Sequence, residues 1–378
     1  MARSVGPFCV RPAAVAGLLC AALLNLEGCG ARSTLDAGSL PEREREPERE
    51  PEPPAETPPL TPSAGAPSVG PTRPPEPPLE RCESVSLTID ELRPSVTLLV
   101  DQSYSMVVGY PTRGSGQSRW DIVRDALMDP KAGVVARLQS SIQFGLSFYT
   151  SYNGSSGGAC PVLSEVTTAT DNYDSIRDLY DRTSPGDDTP TGAAIQQVVS
   201  RLESTRHLGP QVLLLVTDGD PDTCAQPDPQ NGQQEALDAA TRAHEAGIDF
   251  YVLGVSQDIS GDKLQQLANA GHGKRLGAQW GVDADAARPY QASSSVAELT
   301  EQLQQILERV PLCEVQLERD VTVEELRAAS VTLDGKRLQL DAPDGYRRKA
   351  ARRLEIVGAA CEGLKNAGRR LSVRISCD

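Results

Sequence analysis

Residues 95–101, Ser-Val-Thr-Leu-Leu-Val-Asp, constrain this chain more than any other stretch. The run is apolar and β-branched, has strand length, and lacks the polar alternation of a half-exposed strand. Such a segment reads as a central strand covered on both faces. It climbs to Asp101, and two hydroxyls follow at alternate positions, Ser103 and Ser105. In open α/β sheets ligands collect just beyond the carboxyl ends of such strands. Asp101, Ser103 and Ser105 are therefore candidate binding oxygens, weighed against the plain alternative that they only cap a turn.

A second apolar strand, Gln211–Thr217, also ends at an aspartate, Asp218, followed by Gly219. Around these two runs strands and helices alternate. Helical spacing covers Trp120–Leu127, with Ser118 as N-cap, and strand alternation covers Ile142–Tyr149. Pro161–Ala169 reads as a short antiparallel return strand. Helices follow over Asn172–Asp181, Ala193–Ser204, Gln233–Ala246 and Asp262–Ala270, with a strand over Asp249–Gly254. A weak strand near Pro289–Ala292 precedes a long amphipathic helix over Val296–Val310. This order predicts an α/β fold, a doubly wound, mostly parallel sheet covered on both faces. Residues 313–378 differ. Val331–Leu338 is a hairpin turned by Asp334-Gly335, and Leu354–Val357 and Leu371–Ser376 alternate like strands. The expectation is a small β-rich C-terminal appendage behind a domain spanning 82–312.

The start of the chain is not part of that domain. Arg3 and Arg11 precede an apolar stretch from Ala13 to Leu26, too short to cross a bilayer comfortably and patterned as an export signal. It ends in Leu26-Glu27-Gly28-Cys29, which resembles the lipobox of bacterial lipoproteins. The resemblance implies a signal peptide over 1–28, lipidation of Cys29, and a lipid anchor in the cell envelope. Gly30, where an aspartate would retain the protein in the inner membrane, points to the outer membrane. Residues 29–81 are rich in Pro and Glu with no aromatics, too poor in apolar side chains to form a core. They form a tether reaching up to roughly 150 Å. The net charge of −15 sits mainly in 82–312, which carries −14. So acidic a domain is a poor nucleic-acid binder and attracts cations.

Three distant stretches have the order of a known site: Asp101-x-Ser103-x-Ser105, Thr189, and Thr217-Asp218-Gly219. With the element order over 92–312, they resemble the von Willebrand factor A domain and its metal-ion-dependent adhesion site. The resemblance implies that Ser103, Ser105 and Thr189 supply hydroxyl ligands, with Asp101 and Asp218 as the carboxylates, Asp218 acting through water. Tyr104 departs from the small residue usual between the serines. Magnesium, or manganese, fits such a hard oxygen set on chemical grounds. Neutral hydroxyls leave the ion's charge largely uncompensated, so it attracts a carboxylate from a protein partner. The implied function is membrane-anchored, metal-dependent protein binding, without enzymatic activity. Two alternatives stand beside it: an envelope scaffold with a structural metal, and a metal-dependent phosphohydrolase using Asp218-Gly219-Asp220. A calcium hand over the latter stretch lacks its glycine (Thr223) and its glutamate (Pro229). The bland readings are that Thr189-Pro190 is an N-cap with Pro at N1 and that Asp218-Gly219 is a turn. His207, His244 and His272 have no evident partner.

Six of the nine cysteines remain after Cys9 and Cys20 leave with the signal and Cys29 is acylated. Export favours disulfides. From the element order, Cys82 with Cys313 would clamp the domain's ends, Cys160 with Cys224 would brace the rim of the site, and Cys361 with Cys377 would close the appendage.

Overall fold

A computed structural model describes residues 84–89, 92–110, 116–152, 158–205, 207–225, 231–364 and 369–376. All of them belong to one compact unit, Glu76–Asp378. The signal, Cys29, the tether, Cys82, Cys377 and most of the loops at 110–118 and 152–158 lie outside the described residues. Among the described residues no helix is long and apolar enough to cross a membrane.

In chain order the elements are β1 (Val85–Ile89), β2 (Ser95–Asp101), a two-residue ribbon of β3 (Gly109–Tyr110) and β4 (Gln117–Ser118), α1 (Arg119–Met128), α2 (Val134–Leu138), β5 (Gln143–Tyr152), β6 (Ala159–Ala169), α3 (Tyr173–Arg182) and α4 (Thr191–Ser204). Then come β7 (Gln211–Thr217), α5 (Gln233–Glu245), β8 (Asp249–Gly254), α6 (Gly261–Gly271), β9 (Tyr290–Gln291) and α7 (Val296–Leu307). The chain closes with β10 (Glu314–Gln316), α8 (Val323–Ala328), β11 (Ser330–Leu333), β12 (Lys336–Leu338), β13 (Tyr346–Ala350), β14 (Arg353–Ile356), α9 (Gly358–Leu364) and β15 (Leu371–Ile375).

The main sheet has the order β6-β5-β2-β7-β8-β9. Only β6 runs antiparallel, as the return strand expected from Pro161–Ala169. Every residue of β2 is buried, because β5 and β7 flank it and helices cover both faces. On one face Val96, Leu98 and Val100 pack with Trp120, Ile122 and Leu127 of α1, Ile176 of α3 and Leu299 and Leu303 of α7. On the other, Leu99 joins Ile195 and Val198 of α4, Ala240 of α5 and Leu264 of α6. The period-two alternation of one strand thus feeds two cores. Ser118 caps α1 reciprocally with Asp121, as the Ser-x-x-Asp spacing allows.

The C-terminal region is a second layer, and its composition corrects the sequence reading in two ways. Val85–Ile89, expected inside the 82–312 domain, pairs instead with β15 at the far end of the chain, in a sheet of order β1-β15-β11-β12. A second sheet, β10-β14-β13, completes the layer. The hairpin turn lies where expected, with Asp334 and Gly335 at φ of 50° and 80°, as a primed turn requires. The layer also holds two short helices, α8 and α9, and the Cys160–Cys224 bridge braces the main domain. Cys313, however, bonds Cys361. That pairing overturns both Cys82–Cys313 and Cys361–Cys377, because α9 brings Cys361 back over the start of β10.

Candidate metal centre

Strand β2 ends in the middle of the sheet, so it delivers Asp101 into the interior at the sheet's carboxyl edge. Asp101 is fully buried. Its Oδ1 accepts the Ser103 N–H at 2.8 Å and its Oδ2 accepts the Thr217 hydroxyl at 2.7 Å. The Ser103 and Ser105 hydroxyls lie 2.8 Å apart. Ser105 then donates to Oδ1 of Asp218, 113 residues away in sequence, at 2.7 Å. Asp218, at the end of β7, is also fully buried. Four of the five residues picked from the sequence therefore share one hydrogen-bonded cluster.

Thr189 reaches this place through its backbone. No side-chain hydrogen bond among the described residues joins it to the other four. Its loop is stitched to the first by Gly186 N–H to Gln102 O at 2.7 Å and Tyr104 N–H to Asp187 O at 3.0 Å. It is stitched to the third through Asp222, whose Oδ2 accepts the Thr189 N–H at 3.1 Å and whose N–H donates to Thr189 O at 2.9 Å. The capping explanations fail on both loops. Helix α4 starts at Thr191 with Pro190 in the cap position, one residue later than a Thr189 cap requires. Ser103 precedes a single 3₁₀ turn, Tyr104–Val107, without a side-chain capping bond. Tyr104 is 69% exposed and points away, so it does not crowd the loop.

Two buried carboxylates this close repel one another. Burial, and after it the Asp218 charge, pushes Asp101 up to about 7. A divalent cation reverses that balance, since an ion among carboxylates favours their charged form. The donor set is all oxygen and mostly hydroxyl, which suits magnesium or manganese. No group of three or more His, Cys, Asp or Glu able to hold a metal occurs among the described residues, so the hydroxyls are essential to any site here. The φ at Gly219 is not in the left-handed region, so the turn after Asp218 does not itself require glycine, and a Cβ there would meet Ser105 Oγ at an ordinary contact distance of 3.9 Å.

The family model for the von Willebrand factor type A domain matches residues 95–277, a span that holds all three loops. Residues 95–277 are a von Willebrand factor type A domain. Solved structures similar to the chain include manganese-loaded TRAP protein of Plasmodium vivax (18% identity, 60% of this chain and 77% of that one, TM-score 0.39). Others are the pilus adhesin SpaC of Lactobacillus rhamnosus GG in its open conformation (13%, 77% and 40%, 0.43) and a von Willebrand factor type A protein of Catenulispora acidiphila (13%, 78% and 60%, 0.40). The chain spans less than two thirds of the latter two. No curated protein matches the chain.

Within this type A domain three charged residues escaped the sequence reading. Arg119, only 6% exposed, donates from Nη1 to Asp218 Oδ2 at 2.6 Å and from Nη2 to Asp258. Asp222 anchors the Thr189 loop. The signal for Arg119 was its place at the first position of α1, where a cation opposes the helix dipole. Asp222 and Asp258 had no comparable signal. The three histidines, expected to be isolated, line one cavity of about 920 Å³ at the opposite edge of the sheet, between the type A domain and the C-terminal layer.

Proposed function

We propose that the type A domain is a divalent-metal-dependent protein-binding module, held out from a membrane by its Pro/Glu tether. The observation that carries this is the cluster of buried Asp101, Ser103 and Asp218 with half-buried Ser105, hydrogen-bonded into one group with only two carboxylates. Under this reading Ser103, Ser105 and Thr189 would hold magnesium or manganese through their hydroxyls, with Asp101 and Asp218 offsetting only part of its charge. The ion retains positive charge and supplies a Lewis-acid position for a carboxylate of the partner. Tyr104 and Tyr152, 69% and 65% exposed, flank the carboxyl edge and offer the large aromatic contacts that protein interfaces favour. A binding module fits better than the phosphohydrolase alternative, because both carboxylates that alternative would use are engaged, Asp218 by Ser105 and Arg119 and Asp220 by Lys263 at 2.6 Å.

The test is a pull-down from envelope extract in Mg²⁺ and in EDTA, with native protein and Ser105→Ala. Partner capture is expected in Mg²⁺ only, and lost in the variant even with Mg²⁺. Capture that survives both changes with the fold intact contradicts the proposal and favours the scaffold alternative.

Anchoring is a separate proposal, supported by the resemblance of Leu26-Glu27-Gly28-Cys29 to a lipobox. It places the domain in the cell envelope, at the outer membrane. Cys29→Ser is expected to move the protein from the membrane fraction to the soluble fraction and to abolish labelling by a fatty-acid probe, since stable anchoring needs more than one acyl chain. Unchanged membrane partition of the variant refutes it.

A further inference from the structure

Arg119 belongs to a closed circuit around Asp218. Its guanidinium bridges the side chains of Asp218 and Asp258. The Asp258 N–H donates to Ser256 Oγ at 2.9 Å, and Ser256 Oγ donates back to the Asp218 carbonyl at 2.5 Å. Asp218 Oδ1 accepts from Ser105 and Oδ2 from Arg119, so both oxygens already have protein donors. A cation at the first position of a helix works against the dipole. Arg119 is retained there, 6% exposed, by the two carboxylates it bridges.

We propose that Arg119 is a positioning residue that holds Asp218 back from the metal and so weakens the site on purpose toward its own ion. The proposal rests on the cation-site reading. A carboxylate locked in a charge-assisted pair with a guanidinium offers little net negative charge to a neighbour. The ion then faces Asp101 as its one uncompensated carboxylate, with hydroxyls around it. Its surplus charge is left for an external carboxylate, which makes the external group an acidic side chain bound through the metal. Asp258 is the other half of the device. Its side chain is half exposed, and it neutralises the guanidinium that would otherwise repel the ion.

The experiment is calorimetric titration of the full chain with MgCl₂, for native protein, Arg119→Gln, Arg119→Lys and Asp258→Asn, together with the melting point of each in EDTA. Arg119→Gln frees Asp218 and removes a positive charge, so Mg²⁺ is expected to bind tighter, on the order of tenfold at the effective dielectric of a partly buried site. Asp258→Asn leaves the guanidinium uncompensated, so Mg²⁺ is expected to bind several-fold more weakly. Arg119→Lys keeps the charge and is expected to restore near-native affinity. A merely structural Arg119 predicts the same sign for both neutral variants, with weaker Mg²⁺ binding and lower melting points. Equal or weaker Mg²⁺ affinity in Arg119→Gln, or unchanged affinity in Asp258→Asn, overturns the proposal. Absence of Mg²⁺ binding in the native protein itself instead defeats the cation-site reading on which it rests.

Discussion

Asp101→Asn is expected to fold and to lose Mg²⁺ binding by a hundredfold or more. A unit charge about 4 Å from an ion is worth about 4 kcal/mol at an effective dielectric near 20, so loss of this carboxylate outweighs any gain from relief of strain. The fold survives because asparagine keeps a carbonyl oxygen for the Ser103 N–H, and the Thr217 hydroxyl can turn to accept from the new amide. The pH dependence carries an independent signature. Asp101 is raised from 3.8 in the unfolded chain to about 7 in the metal-free fold, by burial first and by Asp218 second. Its contribution to stability is therefore unfavourable at high pH. It is absent below about 4, where both states hold the proton, and grows as pH rises to about 7. The native protein in EDTA is expected to lose stability across that window, Mg²⁺ to restore it near neutrality, and Asp101→Asn to lose the Asp101 contribution and the response to Mg²⁺. Urea midpoints measured at several pH values with and without Mg²⁺ check this. A variant that keeps the native pH slope and the native Mg²⁺ response contradicts it.

Arg353→Ala is expected to cost about 3 kcal/mol, the low end for breaking a buried ion pair by removing one partner. Arg353, on β14, donates to Asp249 and Glu314 at 3.1 Å each and to the carbonyl of Gly247. It joins the C-terminal layer to the amino edge of the main sheet. Its side chain is 13% exposed and that of Glu314 4%, so the Glu314 carboxylate left behind is poorly hydrated, while Asp249, 25% exposed, keeps some contact with water. Lys349, 2.7 Å from Glu314, offsets part of the loss, which is why the low end applies. A lowered urea midpoint, with Arg353→Lys intermediate, is the expected result. A midpoint within about 0.5 kcal/mol of native, the range of ordinary surface changes, shows that the layer is held by its apolar core alone.

What was legible in the sequence follows the range of the interactions involved. The strand at 95–101 announced itself because both of its faces are buried, which leaves an unbroken apolar run. Asp101-x-Ser103-x-Ser105 and Asp218 were legible because a buried strand that ends on an aspartate is locally conspicuous. Thr189 was ambiguous. Thr-Pro before a helix is a good cap, and only the start of α4 at Thr191 sets that aside. The partners of Arg119, 99 and 139 residues away, left no local trace. The same holds for β1, whose short alternation fits either sheet and whose partner β15 lies at the other end of the chain. The Cys82–Cys313 pairing failed for that reason. It assumed that the ends of the type A domain meet each other, whereas the start of the described chain meets its end. Cys160–Cys224 forms as expected.

The central claim is that Asp101, Ser103, Ser105, Thr189 and Asp218 enclose one divalent cation. Anomalous diffraction from crystals of the protein grown with MnCl₂ tests it most directly. A single strong peak bounded by the Ser103, Ser105 and Thr189 hydroxyls, and absent from Asp101→Asn crystals, is the predicted result. Ordered density for those five side chains with no manganese among them contradicts it.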